Sequence, residues 1–508
     1  MDHELNRAVL EYIAPLSTEK RPIYLVGGAV RDSVLQRTAH DLDFTLPGPT
    51  RKLAKGMADA FHGGFYVLDD ERDTTRVVLQ SAAGERLLLD FASIRGPDLE
   101  SDLRSRDFTI NTLAYDVAHP DRLIDPLGGL ADLRNHVIRA CAPTSLQQDP
   151  ARVLRAVRQA LSLQFRIEPE TLRLVREAAP LLRQISPERQ RDELFRILAG
   201  RRVSQAVQIL DQLGALEQVL PELPALKGVT QSAPHVADVW SHTLGVVSHL
   251  ERLFEVLVGG YNEDAGADLI HGLAVLRLGR YREHLARHFE RYEQVDRPVR
   301  ALLFFAALYH DIAKPAARVE EPDGKVRFLG HPEDGAAVTA RRARQLALSG
   351  DEASRAEKIV RQHMRVHFMA SGPAAVDGPA RRSIYRYFRD TGEAGVDICL
   401  LSLADMRATY EMTLPQADWL AELDVCRSLL EAYWENSQEV VSPPRLVTGS
   451  DVMHTFSLKP GPLIGKILEG VREAQAAGEI QTREEALAFA RRIIEGINEP
   501  PIEEREEG

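Results

Sequence analysis

Cysteine is scarce in this chain, with three in 508 residues. Cys141, Cys399 and Cys426 stand far apart, which excludes a disulfide framework or a cysteine-based zinc pattern and predicts a reducing, cytoplasmic setting. Long apolar runs are missing too. The most apolar stretch, Ala301–Tyr309, is too short to cross a bilayer, and the charged start Met-Asp-His-Glu-Leu-Asn-Arg lacks the apolar core of a secretion signal. No membrane partner is expected. An excess of positive charge is also absent, since the formal net charge is −12, a poor first sign for a polyanionic partner. Phosphate contacts are local, however, and the location of charge outweighs its total. Residues 151–208 hold twelve arginines, no lysine and six acids, a net +6. A second basic stretch, Arg381 to Arg389, interleaves arginine with aromatics. It suits either phosphates with stacked bases or a solvated helix face.

What is present divides the chain. Up to about residue 140, short β-like runs (Ile23–Val26, Leu42–Leu46, Phe65–Leu68, Arg76–Leu79, Arg86–Phe91) mix with helical stretches such as Thr50–Phe61. Beyond Asp149 the spacing turns helical and stays so. The predicted class is α+β: a head with one mixed sheet over 1–140, followed by helical regions over 141–225, 226–440 and 441–498. The acidic end, 499–508, reads as a disordered tail.

The most informative stretch is Leu25-Val-Gly-Gly-Ala-Val-Arg-Asp32, followed by His40-Asp-Leu-Asp-Phe-Thr45. Asp41 and Asp43 are two apart, so on a strand they share a face. Two like charges make a poor core element but a good cradle for a divalent cation. Gly27 and Gly28 follow an apolar run and precede a helix over Ala29–Gln36. Such a turn brings backbone N–H groups close to a phosphate at the positive helix end, where Arg31 adds a charged fork. Together these parts describe a site for a metal-bound nucleoside triphosphate.

These residues resemble the nucleotidyltransferase superfamily, specifically the class II tRNA nucleotidyltransferase and bacterial poly(A) polymerase family. That family begins with Gly-Gly-x-Val-Arg-Asp and Asp-x-Asp, as this chain does. Further matches follow in order: Leu103-Arg-Ser-Arg-Asp-Phe-Thr-Ile-Asn111, Asp125-Pro-Leu-Gly-Gly-Leu-Ala-Asp-Leu133, Gln148-Asp-Pro-Ala-Arg-Val-Leu-Arg-Ala-Val-Arg158, and Ser186-Pro-Glu-Arg-Gln-Arg-Asp-Glu-Leu194. By this resemblance Arg106, Asp107 and Asn111 hold triphosphate and sugar and stiffen the joint behind the head; Asp107 also reads as an ordinary cap. Asp149 and Arg152, three apart on a helix, offer acceptors and donors to the edge of a cytosine or adenine. Arg155 and Arg158 extend an arginine row towards the phosphates. Gln148 replaces the family's glutamate. Glu188 and Arg189 are placed to support the base-reading helix. Asp90 reads as a third carboxylate or as a strand-edge residue.

The C-terminal half holds His242, His310, Asp311, His331, His363 and Asp405, in contexts that resemble the HD phosphohydrolase domain. The resemblance implies one or two bound metals (Mn, Fe, Ni, Co or Mg) and a bridging water as nucleophile. In some transferases of the family such a domain hydrolyses 2′,3′-cyclic or terminal phosphates on RNA ends. Leu446 to Lys466 resembles the family's tail region, where helices support the tRNA acceptor arm.

The implied activity is template-independent addition of C, CC or CCA to tRNA 3′ ends from CTP and ATP, with Mg²⁺ held by Asp41 and Asp43. Only Gly96–Ser101 separates Arg95 from Asp102, where many members that complete CCA carry a longer segment; the short form resembles the CC-adding subgroup. The alternatives are a poly(A) polymerase, or an HD phosphohydrolase whose head senses nucleotide or RNA.

Overall fold

The computed structural model describes residues 4–39, 41–80, 86–259, 268–294, 297–371 and 378–498. The acidic end from Glu499 lies outside the described residues. The chain divides into two compact units, Met1–Glu193 with Ile209–Val219, and Leu194–Gln208 with Leu220–Gly508.

The first unit is built on a seven-stranded mixed sheet of order β3-β4-β5-β2-β1-β6-β7. Its strands are β1 (Tyr24–Val26), β2 (Asp41–Leu46), β3 (Gly64–Asp69), β4 (Thr74–Gln80), β5 (Arg86–Ser93), β6 (Ala114–Asp116) and β7 (His119–Ile124). β2 and β5 run parallel, while the other neighbours are antiparallel. The alternation in β2 sets which face does what. Leu42, Phe44 and Leu46 are buried, and Phe44 stacks on Phe91 of β5 with ring centroids 5.0 Å apart. Burying each such side chain stabilises by about 1.5–3 kcal/mol, and a one-residue slip would drive the intervening acids into the core. The apolar face therefore fixes Asp41 and Asp43 on the other face.

Later in the same unit comes the helix Ala151–Leu163. It buries Val153, Leu154, Ala156, Val157 and Ala160 and leaves its arginines on the opposite face. Gln164, in the left-handed conformation (φ 61°), ends it.

The second unit is helical. Its core helix, Val299–Tyr309, is buried at Val299 and throughout Ala301–Tyr309, the pattern of a helix surrounded by others. Among the described residues no helix is long and apolar enough to cross a membrane. Charged groups inside this unit are paired. Asp397 accepts from Arg355 at 2.7 Å and lies 2.8 Å from His288 Nε2, and Glu222 joins Arg342 at 2.7 Å and Tyr309 at 2.8 Å. Near the end, Gly449–Phe456, Pro462–Ala476 and Arg483–Asn498 close over a small core that includes Val452, Ile467, Val471 and Ala490.

The arginine–aromatic stretch has a structural explanation. In the helix Arg381–Thr391, Tyr385, Tyr387 and Phe388 are buried. Arg382 and Arg386 pair with Glu473 at 3.3 and 2.5 Å, and Arg389 with Glu469 at 3.2 Å. These arginines hold the helix against Pro462–Ala476, so the mixture that suits stacked bases is used mainly for packing.

Candidate functional site

In the first unit, β1 ends at Val26, beside Asp43 in the register of β1 with β2. Gly27 turns the chain into the helix Gly28–Val34 with φ 77° and ψ −139°, a region essentially reserved for glycine. A Cβ at Gly27 would stand 3.0 Å from Asp43 Oδ2 and 3.3 Å from Arg106 Nη1. The missing side chain thus makes the room in which a carboxylate and a guanidinium approach the turn.

Asp43 and Asp90 are partners in the parallel β2–β5 register. Burial pushes the Asp43 carboxyl up to about 6; Asp90 and Asp41 push the same way, while Arg106 and Arg155 pull it down. An acid whose ionisation is opposed in this way, with two further carboxylates near it, fits a hard divalent cation, which removes the repulsion when bound. Asp90 is further committed to Arg76 of β4, which donates through Nε and Nη2 at 2.8 Å each.

A polar chain links the turn to the helix Ala151–Leu163. Arg31 grips its neighbour Asp32 and donates to Asn111 Oδ1 at 2.8 Å. Asn111 donates to Asp107 at 2.9 Å and to Gln159 at 3.1 Å. The second oxygen of Asp107 meets Arg155 Nε at 2.7 Å. Burial alone would raise the Asp107 carboxyl, but Arg155, Asn111 and the Phe108 amide outweigh it and hold it low. A buried acid so fully engaged is a joint between sheet and helix.

On the helix, Arg152 donates to the carbonyls of Ser105, Arg106 and Ser145 at 2.9–3.2 Å. Its Nε lies 3.7 Å from Asp149. Asp149 in turn accepts both its bonds from Arg189, at 2.7 and 2.8 Å. Arg158 gives Nε to the buried Glu193 at 2.8 Å. Asp149 and Arg152 are thus held rigidly side by side, with Arg189 fixing the acid. Glu188 is at the start of the same helix as Arg189. Gln148 ends a short preceding helix and donates to Thr144. The sequence signal for Arg76 and Gln159 was absent, because each lies in another element and neither belongs to a local pattern.

In the second unit, five helices converge. Val239–Leu257 carries His242, the end of the buried core helix delivers His310 and Asp311, His331 opens the helix His331–Gln345, His363 follows Gly350–Gln362, and Ala394–Tyr410 carries Asp405. All six residues are buried. His242 Nε2 lies 3.0 Å from Asp405 Oδ1 and 3.6 Å from Asp311 Oδ2. His310 Nε2 is 3.2 Å from Asp311 Oδ2, and His331 and His363 Nε2 are 3.3 and 3.9 Å from Asp311 Oδ1. The Nδ1 atoms of His310, His331 and His363 each hold the carbonyl three residues back, at 2.8, 2.7 and 2.6 Å. That fixes the tautomer and turns the Nε2 lone pairs inward.

Those inward nitrogens test whether a metal fits. His242 Nε2 and His310 Nε2 are buried and make no hydrogen bond, a costly state unless a cation takes up the lone pairs. Ligand atoms of His242, His310 and Asp311, and those of Asp311, His331 and His363, form two groups, each with all its atoms within 4.8 Å. Mixed imidazole and carboxylate donors suit a transition metal or Mg²⁺. Burial, then the charge of His310, pushes His363 down to about 3, so it stands ready as a neutral ligand.

Four neighbours were missed from the sequence. Lys314 meets Asp311 Oδ2 at 2.7 Å, His367 bridges Asp405 at 3.0 Å and Glu422 at 2.8 Å, and His235 stacks edge-on against His242 at 5.0 Å. Lys314 and His367 stand three and four residues after Asp311 and His363, so helical spacing could have found them.

Comparison with known proteins identifies the family. The family profile of the poly A polymerase head domain matches residues 23–139, that of the RNA- and SrmB-binding site of polymerase A residues 164–226, the HD domain residues 239–420, and a tRNA nucleotidyltransferase domain residues 426–490. The chain is 33% identical to an A-adding tRNA nucleotidyltransferase of Deinococcus radiodurans, over 93% of this chain and 95% of that protein. It is 32% identical to a CC-adding tRNA nucleotidyltransferase of Geobacter sulfurreducens, over 92% and 90%. Among solved structures, a CCA-adding enzyme of Thermotoga maritima complexed with tRNA shares the fold with a TM-score of 0.53 at 19% identity, covering 96% of this chain and 95% of that one.

Proposed function

The chain belongs to the tRNA nucleotidyltransferase family, and from that premise we propose that it adds C residues to tRNA 3′ ends from CTP without a nucleic-acid template. The observation that carries the reading is the acid face of β2 beneath the Gly27 turn, joined through Arg31, Asn111 and Asp107 to the arginines of Ala151–Leu163.

Asp41 and Asp43 would hold Mg²⁺, which supplies Lewis acidity to the attacking 3′-hydroxyl and to the departing pyrophosphate. The backbone at Gly27 and Gly28 and the Arg31 fork bind and orient the triphosphate, and Arg106 faces the charge that builds on it. The tRNA 3′-oxygen forms the new bond to the α-phosphorus, the bond to pyrophosphate breaks, and the hydroxyl proton leaves to solvent. Asp149 and Arg152, braced by Arg189, offer an acceptor and donors to the base edge. Rigid bracing favours one hydrogen-bond pattern and so one base.

The relatives carry A-adding, CC-adding and multifunctional CCA names at nearly equal identity, so the choice of base rests on the site. Gly96–Ser101 is short and pinned. Asp98 caps the helix Leu99–Arg104 by accepting from Ser101 at 2.8 Å, and Asp102 accepts from the Arg95 amide at 3.0 Å. A segment tied at both ends supports CC addition over a pocket that switches to ATP. Incubation with Mg²⁺, labelled CTP or ATP, and tRNAs ending before CC, after CC or complete tests this. Two C residues and a stop support it. Addition of A to the CC end overturns the base choice, long A tracts favour a poly(A) polymerase, and no incorporation overturns the transfer reading.

A second activity is supported by the inward lone pairs of the histidine cluster. There His242, His310, Asp311, His331, His363 and Asp405 would hold a divalent metal, which supplies an activated water. The chemistry supplied there would be hydrolysis of a phosphate ester such as a ribose 2′,3′-cyclic phosphate, in which a P–O bond to water replaces one ester P–O bond and the freed ribose oxygen takes a proton.

A further inference from the structure

A cavity of about 490 Å³ lies against the segments that carry His331 and His363, and its lining includes Pro332, Glu333, Arg361, Arg365, Phe368 and Arg386. Two of its walls come directly from ligand-bearing segments. Pro332 and Glu333 follow His331 in the same helix, and Arg361 and Arg365 stand two residues either side of His363. The volume is in the range of pockets that take a small organic ligand.

Part of its lining is not what packing of the fold requires. In the helix Arg365–Ser371 the core-facing residues are Val366 and Ala370. Phe368 points the other way and is 69% exposed, an unusual place for a large aromatic ring. The arginines are steadied from outside the cavity: Arg361 by Glu357 at 2.6 Å, Arg365 by Asp390 at 2.6 Å, and Arg386 by Glu473 at 2.5 Å. A guanidinium has five donors, so a single carboxylate orients the fork without exhausting it. An exposed aromatic ring among oriented guanidinium groups, next to buried metal ligands, is the combination that receives a base and the backbone phosphate attached to it.

We propose that this cavity is the nucleoside subsite of the phosphohydrolase centre. It takes the base of a 3′-terminal ribonucleotide on Phe368 and the preceding phosphate on Arg361 and Arg365, which leaves the terminal phosphate ester at the histidine cluster. The inference rests on the phosphohydrolase reading given above, and it adds a reason for the centre to prefer RNA ends over simple phosphate esters.

The test compares two cyclic esters with the same reacting ring, adenosine 2′,3′-cyclic phosphate and glycerol 1,2-cyclic phosphate, on the full chain loaded with Mn²⁺ or Ni²⁺. Stacking on an aromatic ring is worth roughly tenfold or more in binding per base. The intact protein is expected to prefer the adenosine ester in kcat/KM. Phe368→Ala should shrink that preference about tenfold through KM, Phe368→Trp should restore it, and Arg361→Gln should lower kcat/KM for a dinucleotide ester more than for the mononucleotide. A preference unchanged in Phe368→Ala would overturn the subsite while leaving the phosphohydrolase intact. Failure of the intact protein to hydrolyse either ester would overturn both.

Discussion

Replacing Gly27 by alanine isolates the turn at the centre of the transferase site. The cost has two parts. At φ 77° and ψ −139° a side chain strains the backbone by about 1–3 kcal/mol. The new Cβ would also sit 3.0 Å from Asp43 Oδ2 and 3.3 Å from Arg106 Nη1, so the carboxylate and guanidinium must both yield by a few tenths of an ångström. Misplacing reacting groups by about 1 Å costs roughly 10²-fold in rate, and a smaller shift predicts a loss of about 10–100-fold in nucleotide addition. Gly128→Ala serves as the control. Gly128 also has positive φ, at 72°, but a Cβ there meets nothing within 4 Å. Urea unfolding and single-turnover transfer of labelled CMP should show that both variants lose stability but only Gly27→Ala loses transfer. Full transfer by Gly27→Ala, or equal loss in both, would refute the argument that the turn makes room for Asp43.

Other consequences follow from the buried charges. Asp397→Asn removes the buried carboxylate that meets Arg355 at 2.7 Å and leaves it the more exposed Glu393 at 3.7 Å, and should cost up to about 3–5 kcal/mol in urea unfolding at pH 7. Burial would raise the Asp397 carboxyl, but Arg355 and His288 outweigh it and hold it low. Its stabilisation is therefore present above the unfolded pKa of about 3.9 and lost as pH falls through the lower folded value, so the variant should show a shallower acid limb below about pH 4. For Asp43 the sign reverses. A carboxyl raised to about 6 in the folded chain takes stability away as pH climbs from about 4 to 6, so apparent Mg²⁺ affinity should fall by about tenfold per pH unit below 6, measured as the Mg²⁺ dependence of transfer. His310→Ala should abolish metal-dependent phosphate release and leave nucleotide addition largely intact; equal loss of both would argue against independent sites.

Much of the head was legible because its acids and glycines sit in local patterns. The alternation Leu42, Asp43, Phe44 gave both strand and face, and the runs at Phe65–Leu68 and Arg76–Leu79 lie within β3 and β4. β6 and β7 were not anticipated. β7 is an edge strand that begins His-Pro-Asp-Arg and is mostly exposed, so it carries no apolar alternation, and proline is tolerated only at such an edge. The partner of Asp90 was hidden for a related reason, since Arg76 meets it only through cross-strand register. The arginine–aromatic stretch stayed open between two readings for a different reason. Composition alone cannot tell a nucleic-acid face from a helix whose arginines answer glutamates some eighty to ninety residues later. The histidine cluster was visible as residues in order, but its carbonyl-locked tautomers and the bridge from Glu422 through His367 to Asp405 exist only in three dimensions.

The most direct trial of the transferase centre is the rate at which Asp43→Asn transfers labelled CMP to tRNA lacking its 3′ end, at saturating Mg²⁺ and with folding verified by unfolding midpoint. The account predicts a stably folded protein, at least as stable as the parent at pH 7, whose transfer falls by about 10³-fold or more. Transfer at the parental rate from that folded variant would contradict it.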